Sequence, residues 1–487
     1  MKKFKWLALL CVVLLSVTAA LAACIVPDDG GDDGEREITS EWWTDSGSLA
    51  FNDDGSVKFP NVTINLATVV SGEDKDTFGE IVGDFNKEYK GKINIIPEYI
   101  SQNGFESNIA QRINSNNKAP DLIMSHQKGH LFFADNKLIQ PFSKKLMDES
   151  KIVIDINDYS DGLAQYSSLG YKDTLFSIPC DAQSMVVFYN KKALAEIGKE
   201  LPTSHQELLD VCKAYVEKKG KTPIAWPAAN QNNHFYNYVF TTAIVQNGGE
   251  LYDQSTNKAD WTSEPNKTAF TNAIQSIRDL IDNEGTVKYA DFKDKTSDTA
   301  SQNAFINNEA LFYVYFPWRI NSLEELYLGK NPGVNVSETI GTTSIANWFA
   351  MDASSKNSDK IFVDSHFFAM SKLVSDVNKK AAIMEFVKWF TQRTEVCQKW
   401  ASTGHITACK LVGETDEYKK YPDCERYINN FYPNIDNLVS IGLTTYYNTV
   451  LSYVKTLGFD TLIDPKVSIE SNLTRIQKLF NDEIALL

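Results

Sequence analysis

The chain predicts an α/β body organised around a parallel sheet. Apolar residues switch repeatedly from a spacing of two to a spacing near 3.6, and each short alternating run is followed by a helical one. The composition, 43% apolar and 23% charged over 487 residues, is that of a water-soluble globule and not of a multi-span membrane protein.

Val62, Ile64 and Leu66 alternate as in a half-buried strand, and Phe78, Ile81, Val82, Phe85 and Tyr89 then fall on one helical face. Ile93 to Ile96 is a second strand, Phe105, Ile109 and Ile113 mark a second helix, and Asp121 to Met124 is a third strand running into Ser125-His126. Strand and helix in alternation imply a parallel sheet covered on both faces, with ligands beyond the carboxyl ends of its strands. Candidate ligand loops are therefore 69–73, 100–104 and 125–126. Ser204-His205-Gln206-Glu207 reads as a capping box ahead of Leu208, Leu209, Cys212, Tyr215 and Val216, with Gly220 as the stop. Late helices are expected around Ile383 to Phe390 and Ile469 to Phe480. Residues 61–487 show no internal repeat and no long linker.

Sixty-three acidic against 48 basic side chains give a net charge of −15, which argues against nucleic acid as the main partner. Aromatics reach 12%. Beyond Cys11 and Cys24, the five cysteines are odd in number and match no compact metal motif. A Cys397–Cys409 bridge is one option, and buried thiols acting as small hydrophobes are the other.

Lys2, Lys3 and Lys5, an apolar stretch from Leu7 to Val17, and small residues after it have the anatomy of a secretory leader occupying residues 1–23. Its end, Leu21-Ala22-Ala23-Cys24, resembles the lipobox of bacterial lipoproteins, which implies cleavage before Cys24 and lipidation of that residue. An uncleaved signal anchor is the competing reading, because Trp6 to Ala23 is just long enough to span a bilayer. Loss of the three lysines takes the charge to −18. Residues 24–60 read as an acidic tether, Asp28 to Glu35, followed by a hairpin turning at Asp54-Gly55 between Leu49, Phe51 and Val57, Phe59.

The order of segments resembles the extracellular solute-binding proteins (family 1) of ABC importers. The most specific stretch is Ile178-Pro179-Cys180-Asp181-Ala182-Gln183 through Phe188-Tyr189-Asn190-Lys191, then Gly198 and Pro202. Glu309-Ala310-Leu311-Phe312 ahead of Phe316-Pro317-Trp318, His366 to Lys372, and Thr403-Gly404-His405-Ile406-Thr407 follow in the family order. In the last segment His405 stands where Tyr is usual and Thr407 where Pro is usual. The resemblance implies a two-lobed periplasmic-binding-protein-like fold with discontinuous lobes, a hinge and a ligand cleft. One lobe would comprise residues 61–178 and 366–398, the other 179–365 and 399–487.

It also implies the site. A sugar needs flat rings for its apolar face and amides or carboxylates for its hydroxyls. The candidates are Ser71, Glu73, Gln102 and His126 from the first lobe, Asp181 and Gln183 from the crossover, then Trp226, Asn232 and Tyr236. Trp318, His405, Tyr446 and Tyr447 complete the set. Asp181 has an equal second reading, as a hinge residue tying backbone groups. Catalysis finds no motif: His126 and His130 have i, i+4 spacing without the Glu of a metalloprotease helix. The expectation is a monomeric, lipid-anchored sugar receptor on the outer face of the cytoplasmic membrane, without metal or cofactor, serving an ABC permease. A phosphate-ester binder is the alternative in the same fold and would need a cleft Arg, for which Arg319 is the nearest substitute. A surface glycosidase or an adhesin would be a different class.

Overall fold

The computed structural model describes residues 36–486 except 73, 230–233, 254, 283–296, 442–443, 445 and 465. Its strands in chain order are β1 (Val62–Thr68), β2 (Ile93–Tyr99), β3 (Leu122–His126), β4 (Ile139–Gln140), β5 (Ser177–Pro179), β6 (Asp181–Ala182) and β7 (Val186–Asn190). Then come β8 (Ile224–Ala225), β9 (Phe312–Tyr315), β10 (Ile340–Thr343), β11 (Ile361–Phe362), β12 (His366–Ser371), β13 (Ile406–Thr407) and β14 (Leu438–Val439).

Two sheets divide the chain. The first has the order β2-β1-β3-β12-β4, with β5 also on β12, and the second the order β10-β7-β9-β8. β1 is parallel to β2 and β3, as the alternation of strand and helix requires, whereas β12 runs antiparallel to β3 with His366 facing His126. The chain leaves the first sheet after β5 and enters the second at β7. It returns through β11 to β12, so the first lobe is discontinuous. Between the sheets lie the crossovers: β6 pairs with β13, β11 with β14, and Gln183 bridges Asp364.

The helices follow their apolar spacing. Asp74–Glu88 buries Phe78, Ile81, Val82 and Phe85, and Phe105–Ser115 buries Phe105, Ile109 and Ile113. The helix His205–Lys219 is capped by Ser204, whose side chain accepts from Glu207 N, and stops at Gly220 with φ 66°. Glu207 does not close the box on Ser204; its carboxylate accepts instead from Thr203 N at 2.8 Å and Thr203 Oγ1 at 2.8 Å. All five described cysteines are buried and free, so the thiols are core residues and Cys397 and Cys409 are not bridged. No helix among the described residues is long and apolar enough to cross a membrane.

Residues 36–59 are docked on the first lobe. Trp42 stacks on Phe176 at 6.0 Å and donates Nε1–H to Ile139 O, Arg36 pairs with Asp135, and Lys380 pairs with Asp45. The expected hairpin forms at Phe51↔Val57, turning through Gly55 at φ 80°. The leader, Cys24 and the acidic run lie outside the described residues.

Gly404 lies between the helix Thr394–Ala401 and β13 and packs against Pro317. Its φ is +91°, and an added Cβ would stand 2.6 Å from Pro317 C and 2.7 Å from Pro317 Cβ. Gly404→Ala is expected to cost about 2–4 kcal/mol in urea unfolding, from left-handed strain plus overpacking. Gly198→Ala, at φ +66° with nothing within 4 Å of its Cβ, should cost only about 1 kcal/mol.

Candidate functional site

The register of β3 against β12 sets two imidazoles side by side, His126 and His366, with ring centroids 4.7 Å apart. Each is matched to a carboxylate carried by a crossover. Asp181, on the outgoing crossover, is fully buried. Its Oδ1 accepts from His366 N at 2.8 Å, and its Oδ2 accepts from His366 Nδ1 and from Trp400 Nε1, both at 2.8 Å. Burial alone would raise the Asp181 pKa, but His366 and His405 outweigh it and bring it down to about 2. On His366 burial acts downward, and Asp181 with its hydrogen bond reverses that, so the net shift is upward. This is a buried ion pair supported by hydrogen bonds on both carboxylate oxygens. His405 stacks on Trp400 at 4.7 Å, with Nδ1 2.8 Å from Thr403 Oγ1, and burial pushes its pKa down to about 4.

Asp181, His366 and His405 hold possible metal-donor atoms within 4.8 Å of one another. Three N–H donors already occupy the Asp181 carboxylate, and His366 already balances its charge. A metal would have to displace those bonds, so the group fits a hinge pin better than a metal centre.

The second carboxylate, Asp364, lies on the return crossover and exchanges two backbone bonds of 2.9 Å with Gln183. Its Oδ2 is 3.0 Å from His126 Nδ1 and accepts from Tyr238 OH at 3.3 Å, and its Oδ1 accepts from Ser365 N at 2.9 Å. Burial would raise its pKa, yet His126, then Lys128 and His366, hold it well below the usual carboxylate range. Asp364 is thus approached by His126 of the first lobe and Tyr238 of the second.

Tyr238 belongs to Tyr236–Phe240, a turn of helix wound more widely than α, a device frequent at functional sites. It leads onto an aromatic shelf. Phe316 receives Tyr238 edge-on at 5.0 Å and His234 edge-on at 5.2 Å, and Trp318 stacks on Phe316 at 4.0 Å. Arg319 lies over the Tyr315 ring at 5.7 Å.

The structure brings together only part of the set expected from sequence. His126, Gln183 and Trp318 lie at or beside this junction, and Tyr447 helps line a water-sized cavity with Gln127, Lys128 and Tyr166. Asp181 and His405 are in the hinge interior, where the pin is the reading their placement supports. Trp226 and Tyr236 are fully buried, Trp226 against Phe235 and Tyr236 with its OH on Ala228 O, so both fill the core of the second lobe. Tyr446 is half-buried with its ring 6.3 Å from Tyr252. Ser71 and Gln102 are exposed on the loops after β1 and β2, and Glu73 and Asn232 lie outside the described residues. Sequence reasoning passed over Asp364, His366, Tyr238 and His234. The available signal was Asp364-Ser365-His366, three polar residues between the apolar runs of β11 and β12.

Comparison with known proteins agrees with this architecture. A family profile described as "Bacterial extracellular solute-binding protein" matches residues 80–426. The maltotriose-binding protein of Pyrococcus abyssi is 24% identical over 370 residues, 75% of this chain and 70% of that protein. Among solved structures, the sugar-binding protein MalE of Xanthomonas citri superposes with TM-score 0.69 at 16% identity, covering 87% of this chain and 98% of that one. The cyclic alpha-maltosyl-1,6-maltose binding protein of Arthrobacter globiformis gives TM-score 0.65 at 17% identity, covering 87% and 99%. Two sheets exchanging strands through paired crossovers, and a family match over more than half its length, make this chain a member of the bacterial extracellular solute-binding proteins.

Proposed function

We propose that the protein is a carbohydrate receptor of an ABC importer, taking a mono- or oligosaccharide between its lobes and handing it to the permease. The observation that carries this reading is the junction itself. A polar floor of Asp364, Gln183 and His126 lies between the crossovers, and the ring shelf of Tyr238, Phe316 and Trp318 adjoins it. Carboxylate and amide oxygens accept hydroxyl hydrogens, and ring faces cover the apolar side of a pyranose. The relatives whose names specify maltotriose and maltosyl ligands support the same class. In this reading the lobes divide as residues 61–178 with 366–398 and 179–365 with 399–487. Cys24 carries the lipid that holds a monomeric receptor at the outer face of the cytoplasmic membrane, residues 24–35 are its tether, and closure of the lobes is a hinge motion.

A ligand that binds the native state raises its melting temperature by mass action. Incubation with a broad panel of sugars at millimolar concentration should give an upward shift of several degrees with at least one of them. A strong shift from peptides alone, with none from any sugar, would sink the carbohydrate assignment. Release of reducing ends from an oligosaccharide would replace it with a hydrolase.

A further inference from the structure

Asp364 differs from an ordinary structural ion pair in three ways. It is reached from both lobes, by His126 Nδ1 at 3.0 Å and by Tyr238 OH at 3.3 Å. The Tyr238 bond is long for a hydroxyl on a carboxylate, where about 2.5–2.7 Å is usual, so that oxygen can take a closer donor. Directly opposite, across the antiparallel bridge, stands Gln183, and residues so paired project from the same face of the ladder. Gln183 is buried, and its Oε1 accepts no hydrogen bond from the described residues. Two acceptor groups therefore sit side by side at the crossover, with the ring shelf adjoining, and a buried acceptor without a donor is a place for an incoming hydroxyl.

We infer that Asp364 and Gln183 form the hydroxyl-reading floor of the cleft, that His126 and Tyr238 are positioning residues for the Asp364 carboxylate, and that the site takes neutral polyhydroxylated ligands and rejects phosphate esters and uronates. The inference rests on the carbohydrate reading above and gives it a ligand class. His126 Nδ1 lies 3.0 Å from Asp364 Oδ2, and His126, then Lys128 and His366, lower the Asp364 pKa, so the carboxylate stays ionised. Arg319, the residue a phosphate would need, lies over Tyr315, whose OH donates to Asp298 Oδ2 at 3.2 Å. An anion entering the floor would meet the fixed Asp364 carboxylate, which repels it.

The test is isothermal titration of the full chain with glucose, maltose, maltotriose, glucose 6-phosphate, glycerol 3-phosphate and glucuronate. At least one neutral sugar is expected to bind the native protein and none of the anionic compounds to do so. Asp364→Asn should weaken the neutral sugar about 10- to 100-fold, the loss of a charged hydrogen bond. It should also narrow the preference for neutral over anionic compounds, which a purely structural role would not move. Gln183→Ala should weaken the same sugar about 2- to 10-fold, and it stands as the test if the Asn variant does not fold. A neutral sugar bound equally well by native and variant proteins, or an anionic compound bound more tightly than any neutral one, overturns the inference and leaves a carbohydrate receptor standing. Failure of the native protein to bind any of these or any other sugar overturns the carbohydrate reading itself.

Discussion

Asp181→Ala is expected to lower the unfolding free energy by about 3–5 kcal/mol, the largest effect of any single substitution considered. The carboxylate is fully buried and accepts three N–H donors, from His366 N, His366 Nδ1 and Trp400 Nε1. Removing it strands all three in a buried site and leaves the His366 charge unpaired. The donors come from the return crossover and from the helix Thr394–Ala401 that precedes β13, so one side chain ties three segments together. Urea denaturation, with the midpoint and slope compared, measures the loss. Trp400→Phe, which removes one donor and keeps the ring, should cost about 1 kcal/mol. A variant Asp181→Ala within 1 kcal/mol of native would show that the carboxylate does not pin these segments together.

Acid should weaken the fold before its carboxylates titrate. His405 and His130 are fully buried, and burial lowers their pKa values to about 4 and about 3. In the unfolded chain both titrate near pH 6.5, so between pH 6.5 and 4 the unfolded state binds more protons and stability declines as pH falls. Each histidine contributes about 3 kcal/mol across that window. His366 acts in the opposite direction: its raised pKa adds stability below pH 6.5 that is lost as pH rises through the folded value. Unfolding free energies measured at intervals from pH 7 to pH 4 should therefore slope downward toward acid. His405→Gln should reduce the slope by about one proton's worth, about 1.4 kcal/mol per pH unit. A flat profile in the native protein would contradict the burial of these rings.

The elements most legible in the sequence were those whose side chains alternate between core and solvent. β1, the helices Asp74–Glu88, Phe105–Ser115 and Ile469–Ile484, and the cap at Ser204 all announce themselves by spacing. The site was less legible because its floor is assembled from single residues far apart in the chain: Gln183 and Asp364 on two crossovers, and His126 at the end of β3. Trp226 and Tyr236 were plausible stacking residues by type, yet tertiary packing gave them to the core, as it does most large rings. Asp181 could not be divided between ligand and hinge without knowing that Trp400 and His366 fold back onto it. Asp364 carried no periodic signal, because its role depends on which residue it faces across a one-residue bridge.

β12 stands between β3 and β4, although both of its neighbours are made long before it. A chain synthesised from its N-terminus must therefore wait, with β3 unpaired along one edge, until Ser371 has emerged. The first lobe cannot finish folding as an independent early unit; it matures only after nearly all of the second has been produced. Such non-local pairing slows folding and prolongs the life of an open strand edge, the condition in which chains stick to one another. The strand that makes the two lobes mechanically continuous also lengthens the interval in which the growing chain carries an open edge.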